Sequence, residues 1–198
     1  MSALLLEPSP ETVEVDGASY PIHSDFRAMV RFECLLTDSE CSEEEQLAQA
    51  LTLFYAEHIP GNIPAALDAL LWFYHVGEPP EPSGVKPGGI SRPLYSFSHD
   101  DALIFAAFWT QYRLDLTRAR LHWWKFRALF RGLSDDTEFV KAMGYRAMEI
   151  PADLPARQRE FYRKMKQLYQ LPAPHAQQRQ LDEIDRALLS GGDLTGIL

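Results

Sequence analysis

Cysteine is nearly missing from this sequence of 198 residues. Cys34 and Cys41 stand alone, with no CxxC pair and no histidine at metal-ligand spacing beside them, which argues against a disulfide framework and for inert thiols. Long apolar runs are also lacking. The longest, Ala102 to Trp109, has eight residues, against the roughly 18 that cross a bilayer. The opening stretch Met1-Ser2-Ala3-Leu4-Leu5-Leu6-Glu7-Pro8 has neither the basic start nor the apolar length of a signal peptide, so the expected location is the cytoplasm, with no membrane. Positive charge is scarce in the first half. Residues 1–100 carry 16 acidic and 4 basic side chains against 12 and 15 in residues 101–198, within a total of −9. The two halves can therefore attract one another, within one chain or between copies, which leaves a homo-oligomer open.

The sequence is equally poor in arrangements that do chemistry. No P-loop, GxGxxG, GxSxG or HExxH occurs, and His23, His58, His75, His99, His122 and His175 have no paired ligand spacing. The reading is a protein that is not an enzyme, with no catalytic, cofactor or metal residues and no cofactor. Asp100-Asp101 resembles a carboxylate pair, yet neighbours on a helix start face apart, and acids there suit the helix dipole. Both are read as capping residues.

What is present is helical patterning with clear punctuation. With 46% hydrophobic and 12% aromatic residues, the chain has the material for a core. Val13-Glu14-Val15, the turn pair Asp16-Gly17 and Ser19-Tyr20-Pro21-Ile22 predict a short hairpin, with Pro21 confined to an edge. Ser24 or Asp25 can cap a helix carrying Phe26, Met29, Val30, Phe32 and Leu36. Ser42 and Glu45 form a capping box before Leu47, Ala50, Leu51, Phe54 and His58, and Pro64 suits the first turn of a helix reaching Gly77. Between Glu78 and Pro93 five prolines and three glycines predict a linker or exposed loop. A second block follows. Ala102 to Trp109, apolar all round, predicts a central helix surrounded by others. Further helices are expected from Thr117 to Gly132, from Ser134 to Ala147, and from Pro155 with Phe161, Met165 and Leu168 on one stripe. The fold class is mainly α, a multi-helix bundle with a short N-terminal β-hairpin. Its parts are residues 1–77 (hairpin and helices), 78–97 (linker or loop), 98–171 (a helical block of the same domain) and 172–198 (an amphipathic extension).

Two places are candidates for partner binding. On a helix from Thr117, Leu116, Ala119, Trp123, Phe126 and Phe130 share one face, and Leu121, Trp124 and Ala128 another. A seam of Arg120, Arg127 and Arg131 runs beside Trp124. These arginines either cover Trp124 with their aliphatic stems or form the Trp-plus-Arg composition favoured at protein interfaces. The second candidate is Leu181, Ile184 and Leu188. They make a narrow stripe on a final helix that Pro172-Ala173-Pro174 detaches from what precedes it, so this segment is expected to dock on a partner.

The runs Asp101-Ala102-Leu103-Ile104-Phe105-Ala106-Ala107-Phe108, Tyr112-x-Leu114-Asp115-Leu116 and His122-Trp123-Trp124-x-Phe126 resemble the signature of the bacteriophage gene product fifteen family. Asp25-Phe26-Arg27 and Lys164-Met165-Lys166-x-x-Tyr169-x-Leu171 are similar to it too. The likeness covers about residues 11–171. It implies a protein of tailed phages and prophages, acting in the host bacterial cytoplasm. Its genes lie between those of the tail-tube and tape-measure proteins, which implies a tail-assembly chaperone. The implied partners are phage tail proteins: tape measure, tail tube and the upstream chaperone product. A tail-completion or connector component of the virion is one alternative. Nucleic-acid binding is another, opposed by a pI near 5.1 and by arginines interspersed with acids.

Overall fold

A computed structural model describes residues 4–36, 41–78 and 93–172. The predicted linker or loop therefore lies mostly outside the described residues, as do Leu181, Ile184 and Leu188. Strands β1 (Thr12–Val15) and β2 (Ala18–Pro21) pair antiparallel with Val15 opposite Ala18. Asp16 (φ 52°) and Gly17 (φ 79°) take the left-handed conformation of both central positions in a type I′ turn, the geometry that matches the twist of the flanking strands. Seven helices follow among the described residues: α1 (Phe26–Leu36), α2 (Glu43–Phe54), α3 (Ile63–Tyr74), α4 (Asp101–Tyr112), α5 (Trp123–Arg131), α6 (Glu138–Ala147) and α7 (Ala156–Leu168). The chain is thus mainly α with one N-terminal hairpin.

Local signals start several of these helices as the sequence predicts. The Asp25 carboxylate accepts from the Arg27 backbone N–H at 3.0 Å at the head of α1. Ser42 and Glu45 close both halves of the capping box of α2. Asn62 caps α3 ahead of Pro64. α3 ends at Tyr74, and the N–H of Gly77, at φ 73°, donates back to the Trp72 carbonyl at 2.9 Å.

Elsewhere long-range contacts override the local pattern. α2 stops at Phe54, short of His58, because Tyr55 turns extended and bridges Ile22. There the His23 N–H donates to the Phe54 carbonyl at 2.8 Å and the Ala56 N–H to the Pro21 carbonyl at 3.1 Å. α5 begins at Trp123, six residues after the predicted Thr117. Asp115 instead bonds the N–H and hydroxyl of Thr117 in a tight turn. The chain then runs extended so that His122 bridges Asp25, with Phe26 N–H donating to Leu121 O (2.9 Å) and Trp123 N–H to Ser24 O (2.8 Å). α6 likewise starts at Glu138 behind Thr137, since Ser134 is part of a turn.

The core is aromatic and single, running from Val13 to Phe139. Phe126 stacks on Phe26 (4.6 Å between centroids) and on Phe108 (5.2 Å), and Trp123 stacks on Tyr74 (5.6 Å). The Trp123 indole N–H donates to the Tyr74 carbonyl, and that of Trp124 to the Phe73 carbonyl, each at 2.9 Å. Both α5 indoles thus cap carbonyls near the end of α3, which leaves no buried indole donor unpaired. One expectation fails here. α4 is not surrounded: it buries Ile104, Ala107 and Phe108, while Ala102 and Ala106 are exposed and Trp109 is 48% exposed.

Two outcomes follow. Trp123, fully buried, should cost about 3–5 kcal/mol as Trp123→Ala. The loss should exceed that of Trp124→Ala, because Trp124 borders half-exposed Trp72 and the gap there can be filled; urea midpoints measure both. The second outcome concerns His122. Its Nδ1 accepts from the Trp124 N–H at 3.0 Å while Nε2 lies 2.9 Å from the Pro10 carbonyl, so the ring that fits is neutral and protonated on Nε2. Burial, reinforced by Lys125 and opposed by the Pro10 carbonyl and Glu11, lowers its pKa. Below about pH 6.5 the unfolded chain then binds a proton that the folded chain refuses. Its contribution to stability is complete above that pH and is lost as pH falls through the depressed value. A urea series between neutral and mildly acidic pH should show that loss, and His122→Asn, a neutral cap, should flatten it. An unchanged slope in the variant would reject the assignment.

Candidate interaction surfaces

The predicted arginine seam is taken apart by the early bend before α5. Arg120 lies exposed in the segment leading to the helix, and Arg131 lies exposed in its last turn. Arg127 faces inward. Its guanidinium carbon lies 5.4 Å from the Trp123 ring and 5.7 Å from that of Tyr74, a cation–π seat between α3 and α5. Trp124 is buried at 7% exposure against Trp72 and Phe73. The four residues therefore do not form one continuous surface patch, and Trp124 offers no open face. The physical reason is that Arg120 precedes the helix, so the periodicity that aligned it with Arg127 does not apply.

Around Arg127 sits a polar cluster. The Tyr74 hydroxyl donates to the Glu33 carboxylate at 2.7 Å. Burial, and then the Glu33 carboxylate, hold the phenols of Tyr74 and Tyr95 well above their ordinary pKa, so both stay protonated. The Tyr74 phenol thus links α3 to Glu33 of α1 by its hydroxyl and to Arg127 of α5 by its ring.

A second cluster departs from the capping role that the sequence predicts for Asp100. Asp100 is buried at 1% exposure and makes no capping bond; it accepts from both terminal nitrogens of Arg146, 46 residues away, at 2.7 Å each. Burial opposes ionisation of Asp100, but Arg146 and the Ser96 N–H outweigh it and hold the carboxyl below its ordinary range. The same guanidinium donates to the Leu94 carbonyl at 2.9 Å and to the Tyr169 carbonyl at 2.5 Å. Asp101 is the exposed acid at the helix start, its carboxylate accepting from the Ala102 N–H. A local reading saw a cap at Asp100, because the basic partner lies far along the chain.

This clamp positions α7. That helix contributes no buried residue and is held through polar and ring contacts to α6. Lys166 donates to the Met148 carbonyl at 2.6 Å, Tyr169 stacks on Tyr145 at 5.8 Å and its hydroxyl bonds the Glu138 carboxylate. The predicted stripe of Phe161, Met165 and Leu168 is split. Met165 is half-buried, whereas Phe161 is 49% and Leu168 66% exposed. Exposed Arg157 and Lys164 fall on the same side, at the i, i+4, i+7, i+11 spacing of Arg157, Phe161, Lys164 and Leu168. A shallow open groove bordered by Arg157, Gln158, Phe161 and Tyr162 runs along it. No group of three or more His, Cys, Asp or Glu that could hold a metal occurs among the described residues, and no described helix is long and apolar enough to cross a membrane.

Loss of the clamp should be costly and non-additive. Arg146→Met leaves a buried carboxylate without its partner, so a loss of about 3–5 kcal/mol is expected. Asp100→Asn combined with Arg146→Met should cost clearly less than the two single losses summed, as residues of one network do. Urea unfolding of the three variants measures this. Additive losses would mean that the pair does not couple α4 to α6.

No curated protein and no solved structure matches this chain. The family profile described as Bacteriophage Gp15 protein matches residues 5–171, which takes in the hairpin, all seven described helices and the Trp123-Trp124 centre of the core. It reaches the end of α7, so the exposed stripe lies within the matched region. The chain belongs to the Bacteriophage Gp15 protein family, and with it to the structural and assembly proteins of phages.

Proposed function

We propose that the protein is a non-enzymatic tail-assembly chaperone that holds the tape-measure or tail-tube protein through the outer face of α7. The observation that carries this reading is a helix inside the family-matched region that adds nothing buried to the core yet displays Phe161 and Leu168 alternating with Arg157 and Lys164 along one side. A helix kept for packing would turn its large apolar groups inward. One that displays them alternating with cations suits an amphipathic partner helix with a narrow apolar stripe and flanking acids. Anchoring by an aromatic ring, with basic side chains at the rim, is the usual anatomy of such contacts. The second candidate from the sequence, Leu181, Ile184 and Leu188, lies outside the described residues and adds no support.

Coexpression with the tape-measure, tail-tube and upstream chaperone products, followed by affinity capture, tests the reading. The wild-type chain should retain one of them. Phe161→Asp/Leu168→Asp should fold normally, because neither side chain is in the core, and should weaken capture by about tenfold or more, as the loss of two interface anchors does. Equal capture by the variant would remove α7 as the binding face. Stoichiometric recovery of the chain in purified particles would replace the chaperone with a virion component.

A further inference from the structure

We infer that the uncovered face of α4 is the contact between two copies of this chain, packed antiparallel about a twofold axis. From Ala102 to Tyr112 the helix carries no charged residue. An α-helix apolar on every side is ordinarily enclosed, yet among the described residues only one side of α4 is covered. Its inner side packs on α6 and, through Phe108, on Phe126 of α5. The outer side presents Ala102, Phe105, Ala106 and Trp109, with Phe105 and Trp109 stacked at 6.2 Å. Water is left to cover an uncharged aromatic strip in a chain where 24% of residues are charged.

The order of large and small side chains on that strip identifies the occupant. An axis crossing α4 beside Phe105 and Ala106 inverts the helix onto itself. Trp109 and Ala102 lie equally far from that axis, about 5 Å along the helix at 1.5 Å per residue. Each Trp109 then meets the hollow at the partner's Ala102, and each Phe105 meets the partner's Ala106. Large faces small at every level, as close helix packing requires, and the contact is isologous: one residue meets a second, and the second meets the first. A parallel arrangement would set Trp109 against Trp109.

Charge agrees with the same inversion. Asp101 and Arg113 are exposed at opposite ends of α4. Antiparallel packing brings each Asp101 to within about three residues, or ~4.5 Å of axial offset, of the partner's Arg113, inside the reach of an arginine side chain. Antiparallel helix dipoles add to the attraction. The surface is separate from the outer face of α7, and the inference does not depend on the function proposed above.

Sedimentation of the full chain from low to high micromolar concentration tests it. The mass should rise from 22.6 kDa towards twice that value. Trp109→Asp should weaken association by about tenfold or more while leaving helical content unchanged, because Trp109 is half-exposed. Asp101→Arg and Arg113→Asp should each weaken association, and the two together should restore it, since the swap rebuilds both pairs across the axis. A mass fixed at the monomer value throughout, or a dimer indifferent to Trp109→Asp, would overturn the inference. So would a charge-swapped chain no better than its single variants. A monomer that captures a phage tail protein through Trp109 would assign the face to that partner instead.

Discussion

Arg146 satisfies four acceptors at once: both oxygens of the Asp100 carboxylate and the carbonyls of Leu94 and Tyr169. With it the end of α6 is tied to the start of α4, to the segment entering the second helical block and to the end of α7. A charge buried to this extent is tolerable because four of the five guanidinium N–H groups meet acceptors at close range and the carboxylate is neutralised bidentately. Remove that geometry and α7, which has no buried side chain of its own, keeps only ring stacking and two polar contacts to α6. The orientation of the exposed Phe161 and Leu168 therefore depends on the Asp100–Arg146 pair, whose guanidinium also holds the Tyr169 carbonyl at the end of α7.

The other organising constraint is the pairing of extended backbone between Ser24–Phe26 and Leu121–Trp123. It explains why the Trp123-Trp124 pair starts a helix instead of sitting in the middle of one. Starting there points Trp123 at Tyr74 and Trp124 at Phe73, so that two indole donors satisfy consecutive carbonyls of α3. His122 serves the same junction by capping α5 with Nδ1 and reaching the Pro10 carbonyl with Nε2. One titratable ring thus ties the N-terminal segment to the start of α5. That makes the junction sensitive to acid in a way that a serine or asparagine cap would not be.

The surface divides by chemistry. α7 displays apolar groups alternating with cations, while α4 displays an uncharged aromatic strip. The arginines that looked most like an interface are dispersed. Arg127 lies over the rings of Tyr74 and Trp123 within the fold, which is the covering role that arginine stems and guanidinium planes often take.

Much of the architecture was legible because its signals are local. The type I′ turn at Asp16-Gly17, the Ser42–Glu45 box, the first-turn Pro64 and the spacing of buried residues in α1, α3 and α6 each draw on groups within four positions. The family was legible from the HWWxF run for a related reason: the residues that build the core centre are contiguous. What tertiary structure alone decided was where helices must yield and which faces stay open. α2 and α5 are shortened by backbone pairs formed across more than thirty residues, and Asp100 exchanges a capping role for a guanidinium from α6. Periodicity shows that a face is apolar, but not whether another element covers it. Exposure of Trp109, Phe161 and Leu168 is set by where the neighbouring helices end, and that is a property of packed geometry, not of any one helix.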